Sequence, residues 1–196
     1  MSKKGLFDLH EMKRAGEKIA WLTAYDYPTA TFEEAAGIDM ILVGDSLGMC
    51  VYGYPGTVPV TMDQCIVHSE AVRRGAPNTF VVGDMPLGSY QASDEDAVTN
   101  AIRFLKEANV DAIKREGGVR TVSRGRAILD AGVAVCGHIG LTPQSSGQLG
   151  GHKAQGRTLD SAKLVVEDAR ALYEAGVQLL LVEAVPPETI CATRSK

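Results

Sequence analysis

The chain has 196 residues, 45% hydrophobic and 22% charged, with a formal net charge of −4. That is an ordinary globular composition, and its acidic balance speaks against nucleic acid or an anionic membrane surface as a partner. No apolar run approaches the roughly 20 residues needed to span a bilayer, so no membrane partner is expected.

Leu6, Leu9 and Met12 predict a short helix within residues 1–16, a stretch whose Lys3, Lys4, Asp8 and Glu11 are unlike a signal or transit peptide. Six hydrophobic runs then read as strands, over residues 19–26, 40–46, 79–84, 111–116, 133–138 and 178–183. Each is nearly continuous in apolar residues, as expected of parallel strands buried on both faces. Helical patterns lie between them. Thr61 is the expected N-cap of a helix that stops at Gly75. Ser93-Asp94-Glu95-Asp96 resembles a capping box, followed by Ala97, Ala101, Ile102 and Leu105 as one apolar face. Residues 159–174 carry Leu164, Val165, Ala169 and Leu172 at helical spacing. A weak repeat closes the helices: Ala36-Gly37-Ile38, Ala108-Asn109-Val110, Ala131-Gly132-Val133 and Ala175-Gly176-Val177. Gly or Asn at its centre suits a left-handed helix terminus.

Strand–helix alternation predicts a parallel α/β fold. No GxGxxG or Walker pattern follows the first strand, which takes support from a nucleotide-binding fold. Six units favour a (βα)8 barrel, although a complete barrel takes roughly 250 residues and no seventh or eighth strand is visible. Residues 1–196 therefore read as a single, incomplete TIM-barrel domain, with 189–196 an atypical tail. Cys50, Cys65, Cys136 and Cys191 show no CxxC pairing. This points away from a zinc site or disulfide framework and towards a reducing cytoplasm, with Cys136 a small buried hydrophobe.

The predicted strands end in polar residues: Asp26, Asp45-Ser46, Asp84, Glu116, His138 and Glu183. In parallel α/β folds the carboxyl ends of the strands form the ligand-binding face. Asp45 and Asp84 each follow a glycine at the end of an aliphatic run. Paired carboxylates repel unless a cation lies between them, and Mg²⁺ suits such hard oxygen ligands, with Glu116 available at the next strand end. The plainer reading is that each aspartate caps a following loop or helix. Lys114 and Glu116 are two apart and share a strand face, where the lysine serves an anionic substrate group or forms a buried salt bridge with the glutamate. Arg115 then faces the helical layer and must snorkel or find a carboxylate. Glycine-flanked His138 is either a ligand contact or a hydrogen-bonded structural residue. Glu183, in apolar surroundings, is expected to have a raised pKa and to serve as a base; the alternative is a capping or salt-bridged glutamate. The glycine-rich loops 53–61 and 148–157 read as ordinary connections, or, for the second, as a lid or anion clamp.

These segments together resemble the ketopantoate hydroxymethyltransferase family. The resemblance rests on Thr23-Ala24-Tyr25-Asp26, Val43-Gly44-Asp45-Ser46-Leu47-Gly48-Met49, Val58-Pro59-Val60-Thr61 and Ala71-Val72-Arg73-Arg74-Gly75-Ala76-Pro77. It continues through Glu116-Gly117-Gly118, Gly137-His138-Ile139-Gly140-Leu141-Thr142-Pro143-Gln144, Gln155-Gly156-Arg157 and Glu183-Ala184-Val185-Pro186. It implies a (βα)8 barrel of the phosphoenolpyruvate/pyruvate type, with about six βα units present here. It also implies Mg²⁺, and transfer of a hydroxymethyl group from 5,10-methylenetetrahydrofolate to 3-methyl-2-oxobutanoate, giving 2-dehydropantoate for pantothenate synthesis. Carried over by motif, Asp45, Asp84 and Glu116 are the metal-site acids. Asp45, Ser46, Asp84, Lys114 and His138 are substrate-binding residues, and Glu183 is the proton acceptor. The family forms homo-oligomers, so one is expected here. Arg115 departs from the family's usual aliphatic residue, and two further βα units of the family are not seen. Alternative functions are a related Mg²⁺-dependent 2-oxo acid lyase, or a non-catalytic form that associates with full-length subunits.

Overall fold

The computed structural model describes residues 3–194. Six strands form where the apolar runs predict them: β1 (Trp21–Thr23), β2 (Met40–Val43), β3 (Phe80–Asp84), β4 (Ala112–Glu116), β5 (Val135–Gly140) and β6 (Leu179–Glu183). The helices among the described residues are α1 (Leu6–Ala15), α2 (Tyr27–Ala35), α3 (Leu47–Cys50), α4 (Met62–Gly75), α5 (Asp94–Ala108), α6 (Val122–Asp130), α7 (Ser146–Leu149), α8 (Leu159–Glu174) and α9 (Pro187–Arg194). Within the expected tail 189–196, the described residues belong to α9, and residues 195 and 196 lie outside the described part, as do residues 1 and 2 of the expected N-terminal stretch. None of the described helices is long and apolar enough to cross a membrane.

The chain divides into two compact units, one comprising residues up to Pro86 with Asn100–Ile113, the other Leu87–Thr99 with Lys114 onward. In the first unit β1, β2 and β3 pair in parallel, with Trp21 opposite Met40 and Val43 opposite Gly83. Local rules fix the helix starts. The Asp26 carboxylate accepts the Thr29 N–H at 2.7 Å and opens α2, while Thr61 and Gln64 cap each other's backbone N–H groups at the start of α4. Asp26 is therefore the N-cap of α2. Ile41, Val43, Val81 and Val82 are wholly buried. Gly83 admits the Phe104 ring of α5: a Cβ there would lie 2.5 Å from the ring's Cδ1.

In the second unit β5 and β6 pair in parallel, Cys136 opposite Leu179 and Gly140 opposite Glu183. Thr158 and Ser161 cap α8. Its Val165, Ala169 and Leu172 pack with Ile139 and Val185 into one cluster, each large aliphatic contributing about 1.5–3 kcal/mol. Cys136 is a buried thiol, not part of a disulfide, that donates to the Gly137 carbonyl at 3.6 Å.

The predicted turns recur as expected: Gly37, Asn109, Gly132 and Gly176 have φ of 79°, 52°, 86° and 88°. Three expectations are corrected. Strand burial holds for β2 to β5 but not at the edges, where Leu22 of β1 is 48% and Leu180 of β6 is 40% exposed. In α5, Phe104 joins Ala97 and Ala101 on the buried face, and Ile102 is exposed. In α8, Leu164 is exposed, because it lies beside the inward Val165, Ala169 and Leu172 stripe.

Candidate active site

Asp45 and Asp84 are brought together in the first unit by the β2–β3 register. Val43 lies opposite Gly83, so both chains leave the sheet at the same level. The Asp45 N–H then donates to Asp84 Oδ2 at 2.9 Å. Both side chains are buried. Gly44 keeps space open here: a Cβ on it would lie 2.8 Å from Ser46 Oγ and 3.7 Å from Asp84 Oδ2. Ser46 Oγ is 2.8 Å from the Tyr25 hydroxyl. Burial pushes the Tyr25 phenol up to about 12.

This oxygen-only donor set fits a small hard dication. Among the described residues no three His, Cys, Asp or Glu side chains gather at metal-ligand spacing. Mg²⁺ does not require it, since it keeps several waters and takes one or two carboxylates.

The second unit gathers Lys114, Glu116, His138 and Glu183. Lys114 and Glu116 do share one face of β4, and both reach the same imidazole nitrogen. Lys114 Nζ is 3.4 Å and Glu116 Oε1 3.6 Å from His138 Nδ1. On the other side of the ring, His138 Nε2 lies 3.1 Å from Glu183 Oε2. The β5–β6 register explains this meeting: His138 faces Leu181, and two residues on, Gly140 faces Glu183 on the same side. The Gly117 N–H donates to the His138 carbonyl at 2.8 Å, and the Leu141 N–H to the Glu183 carbonyl at 2.9 Å, tying the strand ends together.

Lys114, Glu116 and His138 are almost fully buried, whereas the Glu183 side chain is 43% exposed. Burial disfavours the imidazolium, but Glu116 and Glu183 outweigh burial and the nearby Lys114, raising the His138 pKa above its ordinary value. Reciprocally, His138 holds Glu183 below the usual carboxylate range, against the opposing effect of burial. The expected upward shift of Glu183 is thus reversed. Its apolar strand supplies less desolvation than the imidazole supplies charge.

Arg115 also departs from expectation. It is wholly buried, so it does not snorkel, and it forms no ion pair with a carboxylate among the described residues. Its Nη1 donates to the Gly117 carbonyl at 3.0 Å and to Thr121 Oγ1 at 2.5 Å, while Nε and Nη2 make no hydrogen bond. Burial pushes this guanidinium down to about 10.

Sequence reasoning missed three supporting residues. The Tyr90 hydroxyl accepts the Glu116 N–H at 2.9 Å and donates to Gln144 Oε1 at 2.8 Å. The Gln144 N–H donates to Glu116 Oε2 at 3.0 Å, closing a ring that fixes the Glu116 carboxylate. Tyr25 is the third. Gln144 and Tyr25 lie inside the quoted motifs, whereas Tyr90 sits in an irregular loop with no local signal. Of the two glycine-rich loops, residues 148–157 are tied to the end of β6 by the Gln155 N–H donating to the Ala184 carbonyl at 2.9 Å. The other loop is tied to α4, where Gln64 Nε2 donates to the Tyr54 hydroxyl at 3.2 Å.

The family model described as ketopantoate hydroxymethyltransferase matches residues 3–193. A 3-methyl-2-oxobutanoate hydroxymethyltransferase of Alkaliphilus metalliredigens (strain QYMF) is 68% identical over 186 residues, 95% of this chain and 66% of that protein. One of Heliobacterium modesticaldum (strain ATCC 51547 / Ice1) is 55% identical over 176 residues, 90% of this chain and 64% of that protein. The chain thus spans just under two thirds of the length of these relatives. Among solved structures, a phosphonopyruvate hydrolase crystallised with oxalate and Mg²⁺ covers 100% of this chain and 69% of its own, with a TM-score of 0.72 at 15% identity. A 2,3-dimethylmalate lyase of the PEP mutase/isocitrate lyase superfamily covers 96% of this chain and 64% of its own, with a TM-score of 0.67 at 18% identity. These likenesses show a TIM-barrel fold, of which this chain carries six βα units.

Proposed function

Because the chain belongs to the ketopantoate hydroxymethyltransferase family, we propose that it serves hydroxymethyl transfer from 5,10-methylenetetrahydrofolate to 3-methyl-2-oxobutanoate, giving 2-dehydropantoate. The observation that carries this reading is the contact of 3.1 Å between His138 Nε2 and Glu183 Oε2. It keeps a half-exposed carboxylate unprotonated beside a buried lysine, which is the state a proton acceptor needs. Glu183 takes the proton from C3 of the 2-oxo acid. Lys114 offsets the negative charge of the substrate carboxylate, Ser46 binds a substrate oxygen, and His138 stands by for the new hydroxyl.

Asp45 and Asp84 are the residues that would hold Mg²⁺, with Glu116 assigned to it by the family resemblance. When bound, the ion supplies a Lewis acid that draws charge from the oxygens of the 2-oxo acid. The Tyr90–Gln144 ring holds Glu116 in one orientation and so keeps its charge directed at His138. The same reading makes the protein a cytoplasmic homo-oligomer that binds a 2-oxo acid and a folate.

The test is exchange of the C3 proton of 3-methyl-2-oxobutanoate in D₂O, followed by NMR with Mg²⁺, without folate and with an EDTA control. EDTA-sensitive exchange that Glu183→Gln abolishes is the expected result. A folded, soluble sample with no exchange overturns the catalytic reading and leaves a chain that only associates with longer subunits. Turnover of a 2-oxo acid to cleaved products without folate places it with the lyases instead.

A further inference from the structure

We infer that Tyr25 is a positioning residue: its phenol fixes the Ser46 oxygen so that the Ser46 O–H is presented to an anionic oxygen of the bound 2-oxo acid. This rests on the reading of Ser46 as a substrate ligand. Ser46 occupies the N-cap position of α3, where a serine oxygen ordinarily accepts a backbone N–H. Here it does not. Ser46 has helical backbone angles, φ −56° and ψ −13°, and its side chain makes no capping bond. The oxygen is instead 2.8 Å from the Tyr25 hydroxyl.

The direction of that bond follows from the neighbours. Tyr25 has one phenolic proton and two candidate acceptors, Ser46 Oγ at 2.8 Å and Cys50 Sγ at 3.7 Å. Sulfur is the weaker acceptor and the more distant, so the proton goes to Ser46. A phenol carries its proton through the neutral range, so the proton is there to give. A serine oxygen occupied from one side by a donor turns its own O–H elsewhere. Only glycine at position 44 leaves the Ser46 oxygen unobstructed on that side, since a Cβ there would lie 2.8 Å from Ser46 Oγ.

Tyr25 itself is held at its backbone end. His68 Nδ1 lies 2.5 Å from the Tyr25 carbonyl, and the Tyr52 hydroxyl is 2.9 Å from His68 Nε2. A neutral ring with its proton on Nδ1 satisfies both, donating to the carbonyl and accepting from Tyr52. Tyr52 stacks on Tyr54 with ring centroids 5.5 Å apart, and Asp26, next in the chain, caps α2. The phenol is therefore a fixed post.

The experiment is a thermodynamic cycle of Tyr25→Phe, Ser46→Ala and the double variant. Binding of 3-methyl-2-oxobutanoate is measured by calorimetry with Mg²⁺ present, and thermal unfolding is followed alongside. Tyr25→Phe is expected to weaken binding about 5- to 10-fold, the range of one neutral hydrogen bond, without lowering the melting temperature, and to cost nothing further on the Ser46→Ala background. Full affinity in Tyr25→Phe, with a loss in Ser46→Ala, overturns the role of Tyr25 and leaves the substrate reading standing. Full affinity in Ser46→Ala overturns both. Additive losses show that Tyr25 acts independently of Ser46 and also overturn the proposal. His68→Ala approaches the same post from its backbone end. It is expected to weaken binding only while Ser46 is present, and an equal loss in both backgrounds counts against the inference.

Discussion

The Arg115 guanidinium fills the space that a side chain at position 125 would need: a Cβ on Gly125 would lie 2.4 Å from Arg115 Nη2 and 2.9 Å from Cζ. Gly125 sits inside α6, where glycine costs about 1 kcal/mol relative to alanine. The glycine is thus tied to the arginine, and the arginine is a buried cation with two nitrogens lacking hydrogen bonds. Gly125→Ala is expected to destabilise the wild-type chain by about 1–3 kcal/mol through overpacking. In an Arg115→Met background the same change is expected to stabilise, by up to about 1 kcal/mol, because the helix preference then acts alone. Arg115→Met by itself is expected to be neutral or stabilising, since it removes a desolvated charge. Urea unfolding of the four chains checks the reversal of sign, and additive effects would show that the two residues do not share the space.

Gly118 makes a second close approach. A Cβ there would lie 2.1 Å from Asp168 Oδ1, and that carboxylate accepts the Val119 N–H at 2.8 Å. Gly118→Ala is expected to cost about 2–3 kcal/mol, since it forces the carboxylate off a backbone donor and shifts the turn after Glu116. Asp168→Ala on the same background should recover part of the loss. Thermal unfolding of the pair measures it.

What the sequence made legible followed from rules that act locally. Gly37, Asn109, Gly132 and Gly176 mark helix ends because few other residues tolerate positive φ. Thr61 and Thr158 announce helix starts because their side chains satisfy N–H groups within the same turn. The strand-end acids were legible because apolar runs have visible limits. What depends on tertiary distance was not. Ile102 and Phe104 are both apolar, and only the gap above Gly83 decides which is buried. The Glu183 carboxylate sits at an apolar strand end, but its protonation is set by an imidazole from a strand more than forty residues earlier. The Tyr90 contact with Glu116 likewise needs the fold, because nothing in Leu87-Gly88-Ser89-Tyr90 marks a partner.

Acid sensitivity has a specific contributor at Glu34. Burial opposes its charge, but its carboxylate accepts the Asn78 N–H at 2.8 Å, the Asn78 side-chain amide at 3.1 Å, and the Thr79 N–H and hydroxyl at 3.0 and 2.9 Å. Together these lower its pKa. A carboxylate with a depressed folded-state pKa stabilises the fold fully above its unfolded value, about 4.3, and loses that contribution as pH falls through the folded value. Glu34→Gln is therefore expected to cost about 1–2 kcal/mol at pH 7. The gap between wild type and variant should close as pH falls below about 4. Denaturation midpoints across pH 2–7 measure it, and a gap that stayed constant in acid would refute the charge-based account.

On the proposed function, Asp84 is the carboxylate whose loss is expected to weaken Mg²⁺ binding most. Its carboxylate is anchored by the Asp45 N–H, so it is presented at a fixed place without further ordering. Asp84→Ala is expected to weaken Mg²⁺ binding at least as much as loss of an outer-shell partner does, about 10- to 100-fold. Asp84→Asn keeps the hydrogen bond but loses the charge, and should fall between. Calorimetric titration with Mg²⁺ alone separates this from any effect on the 2-oxo acid, and equal affinity in all three chains would remove Asp84 from the cation site.

The His138–Glu183 contact makes two separable predictions from one substitution. Glu183→Gln removes a charge that favours the imidazolium, so the His138 pKa is expected to fall, read from its ring proton shifts across a pH titration. On the proposed function it also removes the proton acceptor, so C3 exchange is expected to drop by about 10²–10⁴-fold. His138→Gln acts in the opposite sense on its partner. Without the imidazole the Glu183 carboxylate is expected to titrate at higher pH, since His138 is the largest influence lowering it. The acid limb of the exchange rate should then move upward in pH. An unmoved limb, with intact fold, would mean that the group titrating in the exchange reaction is not Glu183.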